Sequence, residues 1–159
     1  MNRTHLKEVV CFDIDGTVSN DDLRRGSLPP AGSSLSDWVS FHEAHVGDRP
    51  IESVIFVLRI FHEHYLLHGV SGRFAETETT TKAWFTEHDV PYDELHLYDR
   101  RVEKGIKNAV YKVNYLYKLR ARGLMPVLFI EDLPHVADYI EQHGNIPVLR
   151  VRPNYKVNP

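Results

Sequence analysis

Two aspartates, Asp13 and Asp15, follow the apolar run Val9–Phe12, and Gly16 and Thr17 come directly after them. Buried strands rarely end in paired carboxylates, because burying a charge costs free energy unless a partner compensates it. Carboxylate and carbonyl oxygens at this spacing can converge on one divalent cation, and such hard ligands suit Mg²⁺. An ordinary turn, with glycine at its sharpest point and threonine capping it, is the alternative.

Polar residues also end two later apolar runs, and these residues are Ser71, Gly72 and Arg73 in one case and Glu131 and Asp132 in the other. A third carboxylate from another strand, Asp132, would complete the protein's share of a magnesium site at Asp13 and Asp15. Three polar clusters at three strand ends are hard to attribute to stability alone, so they indicate a functional site.

The elements that must position these residues alternate along the chain. Apolar runs predict strands at Val9–Phe12, Tyr65–Val70, Leu95–Tyr98, Pro126–Ile130 and Pro147–Val151. Helical spacing predicts helices over about 35–44, 51–64, 76–88, 107–122 and 136–143. This order predicts an α/β fold of the three-layer, Rossmann-like kind, with a parallel sheet of about five strands flanked by helices. Ligands of such folds bind beyond the carboxyl ends of the strands, where all three polar clusters fall.

The 159 residues predict one domain, 1–159, with a single insertion. Residues 20–50 form this insertion or small cap after the first polar cluster, and residues 20–34 are expected to be loop. The insertion is too short to make a large lid, so we expect an open site, although an oligomer could supply a lid in trans. No feature of the sequence sets the oligomeric state.

The composition is that of an ordinary globular protein, with 42% apolar and 26% charged residues. The single cysteine, Cys11, excludes an internal disulfide and fits a reducing compartment. No apolar run approaches the roughly 20 residues of a membrane span, and the first residues lack the apolar core of a signal peptide. We therefore expect a soluble, cytoplasmic protein with no membrane partner.

Positive charge is concentrated in one stretch, although the net charge of −3 gives no overall nucleic-acid signature. From Arg100 to Arg122 there are eight Lys or Arg residues against the single acid Glu103. One interpretation is a solvated helix face. The other is a basic flank for a phosphate-rich ligand.

Four separated motifs together resemble the haloacid dehalogenase superfamily of phosphohydrolases. They are the run from Asp13 to Thr17, the strand ending at Ser71, a lysine in the helix before the fourth strand, and the pair Glu131-Asp132. Within that superfamily the chain is most similar to the phosphatase domain of phage-type polynucleotide kinase-phosphatases. The stretches that carry this resemblance are "VSGRFAETETTTKAWFTEHDVPYDEL", "NAVYKVNYL" and "FIEDLPHVADYIEQHG".

The resemblance marks Lys112 as the motif lysine, and the chain departs from the pattern in two places. It contains no G-x-x-x-x-G-K-[ST] phosphate loop of a kinase. Leu133 also stands where an arginine often follows the acidic pair.

The resemblance implies a phosphatase mechanism that suits these residues. Asp13 would attack phosphorus to give an aspartyl-phosphate, and Asp15 would donate and later accept a proton. Mg²⁺ would be held by Asp13, the Asp15 carbonyl and Asp132, while Lys112 neutralises developing charge. Glu131 would hydrogen-bond the metal ligands or the lysine.

The residues expected to contact the phosphoryl group are Thr17, Ser71 and Gly72, followed by Arg73 and Arg100 as further candidates for substrate phosphate. For the two arginines, a surface salt bridge is the alternative.

Three functions are compatible with the sequence. The first is a Mg²⁺-dependent phosphomonoesterase acting on a polynucleotide 3′ end or a nucleotide. The second is a phosphatase for a small metabolite, and the third is a phosphate- or nucleic-acid-binding module without catalysis. The third predicts eroded acids, whereas Asp13, Asp15 and Asp132 are all present.

Overall fold

The computed structural model describes residues 7–151. Its elements, in chain order, are β1 (Lys7–Phe12), β2 (Ser19–Asn20), α1 (Asp22–Arg25), α2 (Leu35–Glu43), β3 (Arg49–Pro50), α3 (Glu52–His62), β4 (Leu66–Phe74), α4 (Glu78–Glu87), β5 (Glu94–Tyr98), α5 (Asn108–Ala121), β6 (Leu124–Glu131), α6 (Pro134–Tyr139) and β7 (Val148–Arg150). No helix within this part of the chain is long and apolar enough to cross a membrane.

Five strands form one sheet in the order β5-β4-β1-β6-β7, and all neighbouring strands are parallel. The chain moves outward from β1 through β4 to β5 and then returns to the other side of β1 to form β6 and β7. The carboxyl end of β1 therefore lies at the point where the strand order reverses, which is where such sheets open a crevice for ligands. The predicted parallel α/β sheet is confirmed.

Successive residues of β1 enter two separate cores, because side chains of a strand alternate between the sheet faces. Val9 and Cys11 pack with α5 and α6, while Val10 and Phe12 pack with α3 and α4. Helices therefore cover both faces of the sheet, and the expected three layers are present. The aromatic residues Trp84, Phe85, Tyr111 and Tyr115 are buried in these cores.

The boundary of β4 differs from the prediction and has a consequence for the site. The strand continues through Ser71 to Phe74, where the pattern predicted an end at Val70. Its register against β5 shifts between Ser71 and Phe74. The strand thus carries Ser71 and Arg73 within an irregular segment, and such irregularities re-aim side chains near sites.

The expectation of loop over residues 20–34 is wrong in part. Helix α1 occupies Asp22–Arg25, and β2 pairs antiparallel with β3 from the far end of the insertion. One turn of helix is too short to show a periodic pattern, and a two-residue pair between distant segments leaves no local signal.

The remainder of the insertion is fixed to the sheet by hydrogen bonds. Helix α2 begins with a capping box between Ser34 and Asp37. His42, in its last turn, accepts a hydrogen bond on Nδ1 from the Phe74 N–H at 3.0 Å. The Trp84 indole of α4 donates to the Asp48 carbonyl at 3.1 Å. Residues 20–50 therefore pack beside the carboxyl end of the sheet.

Candidate active site

Asp13 leaves the central strand with its backbone held by β6, since its N–H donates to the Ile130 carbonyl at 2.9 Å. Its carboxylate lies 3.1 Å from the ammonium of Lys112, which is 2.6 Å from Glu131. All three side chains are almost completely buried. A buried lysine is stable when paired charges surround it, and here two acids do so.

The pKa values of this group follow from burial and charge. Burial raises the pKa of the Asp13 carboxyl well above its usual range, and neighbouring acids add to this while Lys112 opposes it. Burial acts to lower the pKa of Lys112, but Asp13 and Glu131 outweigh it and raise the value. Lys112 is therefore a permanent cation beneath the Asp13 carboxylate.

Glu131 accepts from Lys112 with one oxygen and from the Leu133 N–H at 3.1 Å with the other. It therefore holds the lysine ammonium between two acids, itself and Asp13. The structure also places it within reach of a cation that Asp13 and Asp132 would hold, which the sequence did not indicate.

Asp132 lies over the turn that follows β1. A Cβ atom added at Gly16 would stand 2.1 Å from Asp132 Oδ2, and Gly16 has a φ of +78°. Glycine is thus needed at this position for two reasons: the backbone has a positive φ, and the Asp132 carboxylate leaves no room for a side chain. Burial and the nearby Glu131 raise the pKa of Asp132 to about 7, although Arg25 at 3.2 Å opposes them.

Asp15 points into the same cleft but is bound by two arginines. Arg73 donates from Nη2 at 2.6 Å and from Nε to both carboxylate oxygens at 3.1 Å, and Arg24 forms a second ion pair. Burial acts to raise the pKa of Asp15, but the two guanidinium groups outweigh it and hold the value well below its usual range. Arg24 is itself oriented by Asp48, at 2.9 Å.

The cleft above these acids has a volume of about 410 Å³. Its lining combines sheet and insertion residues, namely Asp13, Asp15, Asp21, Arg24, Arg25, Leu28, Phe41, His42, Ser71, Gly72, Arg73, Asn108 and Leu133. Two expected phosphoryl-binding residues, Ser71 and Gly72, are among them, and Arg73 is another.

Two other expected substrate contacts lie elsewhere. The Thr17 side chain is fully buried behind the turn and does not line the cleft. Arg100 lies over the Phe74 ring, 5.1 Å from its centroid, on the wall of a neighbouring groove. Arg73 lines the cleft and forms an ion pair with Asp15, and it is buried, so this salt bridge is not the surface one named as the alternative.

The donor set fits a hard divalent cation. Carboxylate oxygens of Asp13, Glu131 and Asp132 lie within 4.8 Å of one another. Asp132 Oδ1 is buried and has no hydrogen-bond partner among residues 7–151. An unpaired buried carboxylate oxygen is costly, and a cation would satisfy it and relieve the repulsion that raises these pKa values. Asp15 contributes no side-chain oxygen to this set, so its expected share would come from its carbonyl.

Sequence reasoning missed Asn108 at the start of α5 and the residues that the insertion brings to the site, Arg24, Arg25, His42 and Asp48 among them. The segment "DDLRR" offered a weak signal, because acids before and bases after a single turn are typical of a short helix. Arg24 pairs with Asp15 and Arg25 with Asp132, and only the tertiary structure brings these side chains together.

Several solved structures share this architecture. A chain titled as part of a Pnkp1/Rnl/Hen1 complex aligns with a TM-score of 0.74 at 19% identity, over 93% of this chain and 47% of that one. The class C acid phosphatase from Bacillus anthracis gives a TM-score of 0.64 at 16% identity, covering 96% and 70%. The putative HAD-hydrolase YfnB from Bacillus subtilis, bound to magnesium, gives 0.63 at 10% identity, covering 97% and 90%.

These similarities establish the haloacid dehalogenase-like fold for this chain, as the sequence motifs predicted. The chain spans about half the length of the first of these structures. No family model matches the sequence, and no curated protein sequence matches it either.

Proposed function

We propose that this protein is a Mg²⁺-dependent phosphomonoesterase that removes a phosphate from a polynucleotide 3′ end or a nucleotide. The observation that carries the proposal is the convergence of Asp13, Lys112 and Asp132 at the reversal point of the sheet. A buried carboxylate with a fixed cation beneath it and metal-ligating oxygens beside it suits nucleophilic attack on a phosphate.

In this mechanism a carboxylate oxygen of Asp13 bonds to phosphorus and the bond to the ester oxygen breaks. Asp15 gives its proton to that oxygen and then takes a proton from the water that hydrolyses the aspartyl-phosphate, which restores Asp13 and releases phosphate. Ser71 and the Gly72 amide hold phosphoryl oxygens, and Lys112 offsets their charge. Mg²⁺ at Asp13, the Asp15 carbonyl and Asp132 would reduce repulsion between the nucleophile and the phosphate.

The arginines around Asp15 fit this scheme once a phosphate is bound. Arg24 and Arg73 hold the pKa of Asp15 well below its usual range, which disfavours the protonated form that a general acid needs. A phosphoryl group that takes over hydrogen bonds from these guanidiniums would remove their effect, so the pKa of Asp15 would rise where a proton is needed.

The similar structures support hydrolysis as the reaction and, more narrowly, a nucleic acid as the substrate. Two are titled as hydrolases or phosphatases, and one of these is bound to magnesium. Another is titled as an RNA repair complex. A small-metabolite phosphatase is the second candidate, since the fold alone does not choose the leaving group.

The test is Asp13→Asn, which removes the nucleophile and little volume. We expect release of phosphate from 3′-phosphorylated oligonucleotides, 3′-mononucleotides and p-nitrophenyl phosphate to fall at least about a thousandfold. Circular dichroism should remain that of the wild type, because Lys112 keeps Glu131 as a partner.

Asp138→Asn is the matched control, since Asp138 is an exposed aspartate of α6 outside the cleft. It should retain activity. An Asp13→Asn protein that still turns over would overturn the mechanism, and turnover of sugar phosphates alone would favour the second candidate.

A further inference from the structure

A second concave surface adjoins the catalytic cleft. This surface, the β5–α5 groove, has a volume of about 570 Å³ and is lined by Gly72, Phe74, Tyr98, Arg100, Arg101, Lys104, Gly105, Ile106 and Asn108. Gly72 and Asn108 line both cavities, so the two lie side by side. A molecule whose phosphate lies at Asp13 can therefore extend into the groove.

The groove is cationic and carries no acid among its lining residues within the described chain. Lys104 is exposed and has no ion pair in residues 7–151, and Arg101 is 82% exposed with Asp99 as its partner. Arg100 lies over the Phe74 ring and has a 4.0 Å contact to Glu76. Cations on such a surface can neutralise backbone phosphates.

Two further features suit nucleotides. Phe74 and Tyr98 line the groove with the Arg100 guanidinium over the Phe74 ring, and bases of single strands contact aromatic rings and arginines irrespective of sequence. The 14-residue helix α5 begins at Asn108 on the groove wall, without a side-chain cap at Lys107. Its free N–H groups thus add positive potential where the three cations already lie.

We propose that the β5–α5 groove binds the strand adjoining the terminal phosphate, which makes the substrate a single-stranded polynucleotide end in preference to a free nucleotide. This inference rests on the proposed phosphomonoesterase. It commits to a polymer because a mononucleotide with its phosphate at Asp13 leaves Lys104, at the exposed side of the groove, without an anion to bind, and leaves Arg101 with Asp99 alone.

The test is the double variant Arg101→Ala/Lys104→Ala, assayed on a 3′-phosphorylated ten-nucleotide strand and on p-nitrophenyl phosphate. Neither residue lines the catalytic cleft. We expect KM for the oligonucleotide to rise roughly tenfold, and the slope of log KM against log salt to fall by about 1.4, as for two lost phosphate contacts. Turnover of p-nitrophenyl phosphate should stay unchanged.

Lys82→Ala/Arg150→Ala is the matched control, because it removes the same charge from exposed ion pairs outside both cavities. It should leave both substrates unaffected. Equal effects of the two double variants, or no effect of the groove variant on the oligonucleotide, would contradict the proposal that the β5–α5 groove binds the strand. So would a wild type that hydrolyses small esters and ignores oligonucleotides. Absence of turnover on every phosphomonoester would instead overturn the proposed function.

Discussion

Single residues in this site have roles that depend on contacts made by only one or two atoms. Asp13 and Asp15 are two positions apart, yet one faces a buried lysine and the other two arginines. Burial raises the pKa of Asp13 although Lys112 opposes it, whereas the two arginines lower the pKa of Asp15. Strongly perturbed pKa values of neighbouring carboxyls are typical of functional sites.

Gly16 gives the sharpest prediction at this scale. Gly16→Ala should destabilise the protein by more than the roughly 1 kcal/mol that a positive φ alone costs an alanine, because its Cβ would meet Asp132. Phosphate release should also fall, since Asp132 or the turn must move. The free energy of unfolding from urea titration and the rate of phosphate release are the measurements.

Gly32→Ala is the control for the backbone effect. Gly32 also has a positive φ, +88°, but a Cβ there would meet nothing within 4 Å. Equal losses of stability in the two variants would contradict the contact with Asp132.

At the scale of elements, the insertion matters because it completes the cleft. Helix α1 supplies Arg24 and Arg25, and α2 supplies Phe41 and His42. Helix α2 is attached to β4 through the neutral ring of His42, which accepts from Phe74 N–H and packs edge-on against the Phe74 ring at 4.8 Å. A protonated Nδ1 could not accept that bond.

This attachment predicts a pH-dependent stability. Burial lowers the pKa of His42 to about 4, from 6.5 in the unfolded chain, with Arg73 and Arg24 adding to the effect and Asp15 opposing it. Between these values the unfolded chain binds a proton that the folded protein does not. The free energy of unfolding therefore falls as pH drops from 6.5 to 4, by up to about 3 kcal/mol for this residue.

His42→Gln should remove this fall in the free energy of unfolding at low pH, because the glutamine amide oxygen can accept the hydrogen bond from Phe74 N–H and does not titrate. The measurement is urea unfolding of both proteins at pH 7 and pH 4.5, with His135→Gln, an exposed histidine of α6, as control. A parallel decline of wild type and His42→Gln would show that this ring is not the cause.

At the scale of the whole molecule, the carboxyl edge of the sheet concentrates acids that a cation would stabilise. Asp13, Glu131 and Asp132 come from two adjacent parallel strands and the residues after them, and each is largely buried. Folding therefore forces together carboxylates that are far apart in the unfolded chain, and metal binding should be coupled to folding.

Removal of metal should accordingly lower both activity and thermal stability. With Mg²⁺ at about 100 times its Kd, the gain of about 2.7 kcal/mol corresponds to a Tm roughly 5–10 °C above that in EDTA. Asp132→Asn should abolish most of this shift, while Asp138→Asn should keep it. Full activity in excess EDTA, with an unchanged Tm, would refute the metal site.

Much of the fold could be predicted because its signals are local. Buried parallel strands are near-continuous apolar runs, and amphipathic helices repeat every 3.6 residues, so the five strands and the helices of both layers followed directly. The acids could also be found, since Asp13, Asp15 and Asp132 each end such a run. Helix α1 and the β2–β3 pair were not predicted, because one helical turn and a two-residue strand pair are too short to show a periodic hydrophobic pattern.

The sequence by itself determined the sheet and the acids at its carboxyl edge, because each belongs to a local pattern, whereas only the resemblance to known phosphatases singled out Lys112. The tertiary structure alone decided which charges meet: Arg24 and Arg73 at Asp15, and Arg25 at Asp132. It also brought Gly72 and Asn108 together as the junction between the cleft and the β5–α5 groove. Such pairings depend on segments between 9 and 107 residues apart, and no local period reports how a chain folds back on itself.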